Sequence, residues 1–415
     1  MKVLNVFYFL VGLLSFFLTR VFGIISFGEI FIILYVAWLA LSGRISFGKS
    51  IIDDKLKKVL IFLGLAITSA LISSLLNGSS DIEIVKYVGT IILLPFSFFF
   101  FRDMLINDQH GIVPFTLGYG LSNIIVNLFF VQFSDYVVGQ RGDDFQQFQD
   151  DFYAYTICYL AYVVNAYYYC RNIKLLFLLN LILALLCLMG NSRHLCLMLV
   201  IHDFFLYLIY YVDKNNISVS VGKIASWGCM LALVLLMTYK GYGYMAKSGA
   251  LGEYGKWKYE VQEKKKGGIA SSRSWSMRGI IALSHHPLGG LKDSGKEVAD
   301  NEEIRREYAQ FMNISISSNK SLMGHSTILD WWIVYGIFTV PFWIYIIKLT
   351  VMALKGMLSD ASNSLLAVTL YSCLNMLWDI FFSPFGGRIG YGLSIMLVIY
   401  SISLTKMNKN QGNEV

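Results

Sequence analysis

Residues 174–212 read KLLFLLNLILALLCLMGNSRHLCLMLVIHDFFLYLIYYV, and how this stretch is read decides the fold. Its two apolar runs, 174–190 and 195–212, have the length a helix needs to cross about 30 Å of hydrocarbon at about 1.5 Å per residue. Between them stand only Asn191, Ser192, Arg193 and His194, too few for a soluble connection.

Outward from this pair, similar blocks fall at 3–19, 22–42, 59–76, 84–101, 112–133, 152–170, 219–238, 327–349, 362–382 and 389–405. About twelve spans result. The composition agrees: of 415 residues, 56% are hydrophobic and 15% charged, against roughly a quarter charged in soluble domains. A soluble enzyme, a disordered chain and a disulfide scaffold are excluded. The fold class is all-α, a polytopic membrane protein. Its organisation is 1–238 with the first nine spans, 239–324 as one large partly helical loop, and 325–415 with the last three. The first block has no small-residue cleavage site and runs on through Arg20 into the second, so it reads as a retained helix.

Lysines and arginines set the orientation, because short loops rich in them stay in the cytoplasm. With an internal N-terminus the inner side holds fifteen of the 34, among them Lys55, Lys57, Lys58, Arg102, Arg171 and Lys348. Short outer loops and outer helix ends hold five: Arg20, Lys86, Arg141, Arg193 and Arg388. Long loops do not vote. Both termini are therefore expected in the cytoplasm and 239–324 outside. The net charge of +7 follows from this topology and points to no nucleic acid. The six cysteines lie in or near apolar spans without metal-ligand spacing, and read as buried, inert thiols with no disulfide. No P-loop, Rossmann glycine pattern, Gly-x-Ser-x-Gly elbow or His-Glu-x-x-His motif is present, which speaks against ATP-driven transport within this chain.

The large outer segment is too long for a structureless connection without a task. Lys240 to Gly268 is rich in Gly, Lys and Tyr and reads as solvated or facing lipid headgroups. From Ser271 to His286 a helix is expected, capped by Ser271 or Ser272 and ended by Pro287, Gly289 and Gly290. Arg278, Ala282 and His285 share one face of it. A second surface helix is expected around Glu302 to Phe311. The segment closes on Met323-Gly-His325-Ser, where a membrane helix is expected to begin. A helix N-terminus disfavours imidazolium, so His325 there stays neutral and able to accept a proton.

Ionisable groups at membrane depth are expensive and invite a functional account. Arg193 lies at the outer end of a span, and Arg273 and Arg278 lie on the outer helix. Arg141 and Arg388 are candidate substrate-binding groups, with lipid anchoring as the alternative. Asp330, one turn beyond His325, either caps the helix or orients the imidazole. His194 and His202 read as satisfied inside the bundle. Several arginines and one neutral histidine on an outer face, without an acidic cluster for a metal, suit a phosphorylated lipid gripped by forked guanidinium hydrogen bonds.

Four elements in this order carry a resemblance: Gly190-x-Ser-Arg193, Ser272-Arg273-x-x-x-x-Arg278, Pro287-Leu-Gly-Gly290, and Gly324-His-Ser326 before Trp331-Trp-Ile-Val-Tyr-Gly-Ile-Phe338. Together they resemble the O-antigen polymerase and O-antigen ligase superfamily, over roughly residues 141–345. The resemblance implies a multi-span glycosyltransferase of the bacterial inner membrane, its active site facing the periplasm. Its substrates would be an undecaprenyl-pyrophosphate-linked oligosaccharide donor and acceptor, with no cofactor and no metal, and a chain-length regulator as an open further partner. It matches His325 to the family's acceptor-activating histidine, and Arg193 and Arg278 to its pyrophosphate-binding arginines, with Arg273 beside them. Ser326 and the Gly190-Asn191 pair depart from the family pattern, and no Asn-Pro-Asn element follows Arg141.

A polymerase joining repeat units is the first reading, and a ligase transferring finished glycan to lipid A core the second. A transporter or flippase for the same lipid would need ionisable groups in mid-span and broken helices in matching halves. The chain has few of either.

Overall fold

The computed structural model describes residues 3–19, 25–45, 47–48, 50–76, 84, 88–89, 91–129, 145–189, 192–215, 221–252, 255–257, 259–260, 274–290, 302–312, 326–358, 363–383 and 387–412. The described chain is almost wholly helical. In order the helices are α1 (Val3–Leu13), α2 (Phe27–Leu41), α3 (Ile51–Leu76), α4 (Leu94–Asn107), α5 (Ile112–Phe129), α6 (Phe145–Tyr168), α7 (Ile173–Met189) and α8 (Arg193–Lys214). Then come α9 (Val221–Lys247), α10 (Ser274–His285), α11 (Glu302–Met312), α12 (Thr327–Tyr335), α13 (Val340–Met357), α14 (Leu366–Phe382) and α15 (Arg388–Gly412). A two-residue hairpin, β1 (Leu18–Thr19) with β2 (Ile25–Ser26), joins α1 to α2 and pairs antiparallel with Leu18 opposite Ser26.

Among the described residues five helices are long and apolar enough to cross a membrane: Ile51–Leu76, Arg193–Lys214, Ser226–Lys247, Ile337–Met357 and Arg388–Thr405. Shorter apolar helices stand beside them, including α7, whose exposed Leu178, Leu181, Ile182, Leu185 and Leu186 form one stripe. Leaving such a stripe bare suits lipid and not water. The chain is a helical membrane protein.

α1 and α5 cross at glycines. A Cβ on Gly12 would collide with Phe115 O, and one on Gly118 with Phe9 O, so small residues let the two backbones touch. Around this crossing Tyr8, Phe100, Phe101 and Phe115 pack edge to face and are fully buried. A second aromatic knot, Trp331, Phe342 and Trp343, locks α12 to α13 and meets Tyr391 of α15.

One set of polar groups inside the bundle pairs across four helices. His202 sets Nδ1 3.0 Å from Asp203 Oδ1 and Nε2 3.0 Å from Ala367 O, while Asn180 donates to Asp203 and pairs with Asn165. This network ties α6, α7, α8 and α14, as hydrogen-bonding side chains do between membrane helices. At one end of the bundle Asp53 at the start of α3 holds Arg102 of α4. At the other, Ser26 and Glu29 close a capping box on α2, and Glu29 also receives Arg388.

The block 327–349, read from sequence as one span, is two helices. Gly336 sits at φ +95°, where a side chain is strained, and a Cβ there would stand 2.8 Å from Ser69 Oγ. Ser69 donates to Tyr335 O and Ile337 N to Leu288 O, so groups freed by the break are paired. Pro341 then opens α13. The membrane-length helix therefore begins at Ile337, and α12 is a nine-residue helix ahead of it. The thiols also divide: Cys187, Cys196 and Cys373 are buried, whereas Cys170 and Cys229 are exposed.

Candidate functional site

α8 starts abruptly after α7, with Ser192 as its N-cap and Ser192 N bonded to Cys187 O. Arg193 is its first residue. The guanidinium lies over the ring of Tyr242 from α9, 4.8 Å from the centroid. Tyr242 packs against Tyr259, and Lys247 Nζ lies 5.4 Å over the Tyr259 ring. α9 reaches this cluster because it runs on to Lys247, beyond the 238 expected from hydropathy. The stretch read as facing headgroups thus supplies part of a packed aromatic site.

The next residue, His194, stacks on Trp378 near the end of α14, rings 6.1 Å apart and 12° from parallel. Half a turn further along α14, Ile380 O accepts from Ser326 Oγ at 3.1 Å. Thr327 Oγ1 donates to Ser383 O, which leaves its lone pair to accept from Tyr391 Oη, both at 3.0 Å. The last turns of α14 thereby hold the start of α8 on one side and the start of α12 on the other. His325 precedes Ser326 in the chain and lies outside the described residues, as do Arg141 and Arg273.

Ser326, and not Asp330, is the N-cap of α12, although its side chain makes no capping bond. Asp330 N donates to Ser326 O, and the Asp330 side chain is buried in the first turn, where the helix dipole favours a carboxylate.

The helix expected on the outer segment forms over Ser274–His285 and contains Arg278, whose side chain lies outside the described residues. Neighbouring Gly279 packs against α12, where a Cβ would meet Ile333 at 3.2 Å. On its other side α10 buries Ile281 and Ala282 against Ile304 and Tyr308 of α11, and His285 Nε2 lies 2.9 Å from Glu307. The second surface helix therefore forms also, over Glu302–Met312, and braces the first.

The Pro287-Leu-Gly-Gly290 turn explains its glycines. Gly289 and Gly290 take φ of +63° and +73°, and a Cβ on Gly289 would collide with Trp332 O. Trp332 Nε1 donates to Pro287 O, and Ser73 Oγ of α3 donates to Gly290 O at 2.7 Å. The turn is a clasp that fixes α10 to α12 and α3.

Arg388 is engaged by Glu29, Nη2 standing 2.9 Å from Oε2. Its fork is taken up by a carboxylate of the chain itself. Sequence reasoning missed Asp379, on the last turn of α14, partly exposed and hydrogen-bonded to Ser383. An aspartate in a run as apolar as Leu377-Trp-Asp-Ile-Phe-Phe382 was the available signal. It also missed Tyr242, for which no local signal exists, and gave no role to Ser192, although it stands in the Gly190-x-Ser-Arg193 element. Among the described residues no three His, Cys, Asp or Glu side chains cluster as metal ligands would. No protein-family model matches the chain, and no curated protein or solved structure matches it.

Proposed function

We propose that the chain is a membrane glycosyltransferase, an O-antigen or surface-polysaccharide polymerase. It would join undecaprenyl-pyrophosphate-linked repeat units on the periplasmic face of the bacterial inner membrane. One observation carries this reading: His194 and Ser326, the chain neighbours of Arg193 and His325, rest on Trp378 and Ile380 of the same helix end. A helix end that holds the chain neighbours of a base and a guanidinium suits a reaction between a sugar hydroxyl and a lipid diphosphate.

The reading keeps about twelve spans with both termini cytoplasmic, and the cross-helix contacts support its division of the loops into two faces. Asp53 with Arg102 and Gln109 with Tyr400 pair residues assigned to the inner side. Glu29 with Arg388, Ser73 with Gly290 and Thr327 with Ser383 pair residues assigned to the outer side.

In the mechanism His325 takes the proton from the acceptor hydroxyl as its oxygen attacks the anomeric carbon of the donor, inverting it. The bond to the diphosphate oxygen breaks, and Arg193 and Arg278, with Arg273 beside them, stabilise the departing charge. Both substrates are anchored in one membrane, which supplies proximity. The clasp at Pro287–Gly290 holds the helix carrying Arg278 against the one that follows His325.

Deleting the gene in its host and resolving the surface glycan by gel tests the assignment. A polymerase leaves a single repeat unit on the acceptor lipid, and a ligase leaves none. An undiminished ladder of long chains would overturn both.

A further inference from the structure

Three polar atoms at the first turn of α8 are sealed from solvent and have no hydrogen-bond partner among the described residues: Ser192 Oγ, Arg193 Nη1 and Tyr242 Oη. Ser192 is 6% exposed and Tyr242 4%. Leaving a buried donor unpaired is costly, and native folds rarely do it without a use for the group. Each of the three can donate, and a guanidinium can do nothing else. They gather at the N-terminus of a 22-residue helix, whose free N–H groups and dipole add to the same polarity. Among the described residues, the groups beside the guanidinium are the phenols of Tyr242, Tyr239 and Tyr259, with no carboxylate among them.

Donors of one polarity gathered at one helix start, with no carboxylate beside them among the described residues, define the complement: an oxyanion. We propose that Ser192 and Tyr242 complete a phosphate-oxygen site with Arg193. In it Tyr242 is a positioning residue whose ring carries the guanidinium and whose hydroxyl donates to the same oxyanion. That the phosphate belongs to a lipid-linked diphosphate rests on the function proposed above. The anion site itself rests on the three buried donors.

The test uses the full-length protein in phosphatidylcholine nanodiscs, titrated with undecaprenyl diphosphate and separately with inorganic pyrophosphate. Tyr242→Phe keeps the ring and removes the hydroxyl. Losing one hydrogen bond to a charged group is expected to weaken diphosphate binding about tenfold. The ligand-free melting temperature should stay level or rise, because an unpaired buried hydroxyl has gone. Ser192→Ala should weaken binding in the same sense, and Tyr242→Leu more than either. Wild-type affinity in Tyr242→Phe would overturn the proposal, as would a drop in its ligand-free stability, which would mark the hydroxyl as structural. If pyrophosphate binds and Tyr242→Phe weakens it while undecaprenyl diphosphate does not bind, the anion site stands and the lipid-linked reading falls. If phosphatidylglycerol in the disc displaces undecaprenyl diphosphate as readily as pyrophosphate does, the site stands as one for bulk headgroups. If the wild type binds none of these, both fall.

Discussion

Glu29 and Arg388 are 359 residues apart in the chain, yet their side chains meet in a two-pronged ion pair that is 14% exposed on the arginine and 8% on the glutamate. Glu29 also closes the cap of α2, so one carboxylate fixes the entry of α2 and the start of α15 together. Breaking a buried pair strands a charge, whereas replacing both partners removes the burden of desolvation. Arg388→Met alone should lower unfolding stability by about 3 kcal/mol, and Glu29→Leu with Arg388→Met should restore most of it. Thermal unfolding in nanodiscs decides. A single variant as stable as the wild type would show the pair to be idle.

The α1–α5 crossing depends on Gly12 and Gly118 having no side chain. Gly12→Leu should force the helices apart and cost about 2–3 kcal/mol or prevent folding. Gly64→Ala is the control, since nothing lies within 4 Å of its Cβ position. As a helical Gly-to-Ala change it should stabilise by up to about 1 kcal/mol. Equal melting temperatures for the two variants would contradict the close crossing.

Gly289→Ala should undo the clasp, because the turn needs φ of +63° and the added methyl collides with Trp332 O. Activity should fall at least tenfold with the protein still inserted, since only the placement of α10 against α12 is lost. Gly252→Ala, at φ +77° with open space around it, should leave activity within about twofold. The glycan ladder of cells expressing each variant at equal level measures this. Normal chain lengths in Gly289→Ala would show that α10 takes no part.

Asp379 hydrogen-bonds to Ser383, whose carbonyl also accepts from Thr327 two residues after His325. An ionisable group at the end of so apolar a run is expected to matter through the proton it can hold or give up, which an amide cannot. Asp379→Asn should cut glycan polymer at least tenfold while leaving the melting temperature within a few degrees. Full polymer in Asp379→Asn would assign it to packing.

Arg193→Lys replaces a fork with a point charge. The ammonium keeps the attraction to Tyr242 but cannot reach two phosphate oxygens in one plane, so a tenfold or greater loss of polymer is expected. Undiminished activity would make Arg193 a lipid anchor.

How much of this was legible in the sequence follows from the range of each interaction. The helix α10 announces itself locally, through the Pro287 stop and the glycines behind it, whereas its expected caps Ser271 and Ser272 lie outside the described residues. The break at Gly336 does not announce itself, because Trp332-Ile-Val-Tyr-Gly-Ile-Phe338 is apolar throughout, and the Tyr335 carbonyl at the break is paired by Ser69, 266 residues earlier in the chain. The partners of Arg388 and Arg193 are equally remote. Hydropathy also ended α9 at 238, before the Lys240–Lys247 turns that bring Tyr242 onto Arg193. An outer arginine could thus be picked as a candidate, but whether its guanidinium was already spent on Glu29 or set over a tyrosine ring depended on contacts between distant helices.

The central claim is that a base just ahead of α12 works with Arg193 on a lipid-linked sugar. It is tested most directly by His325→Ala in the native host, with the protein at wild-type abundance and the surface glycan resolved by length. The account predicts that long chains vanish and one repeat unit remains on the acceptor lipid. A ladder of normal length and amount would contradict it.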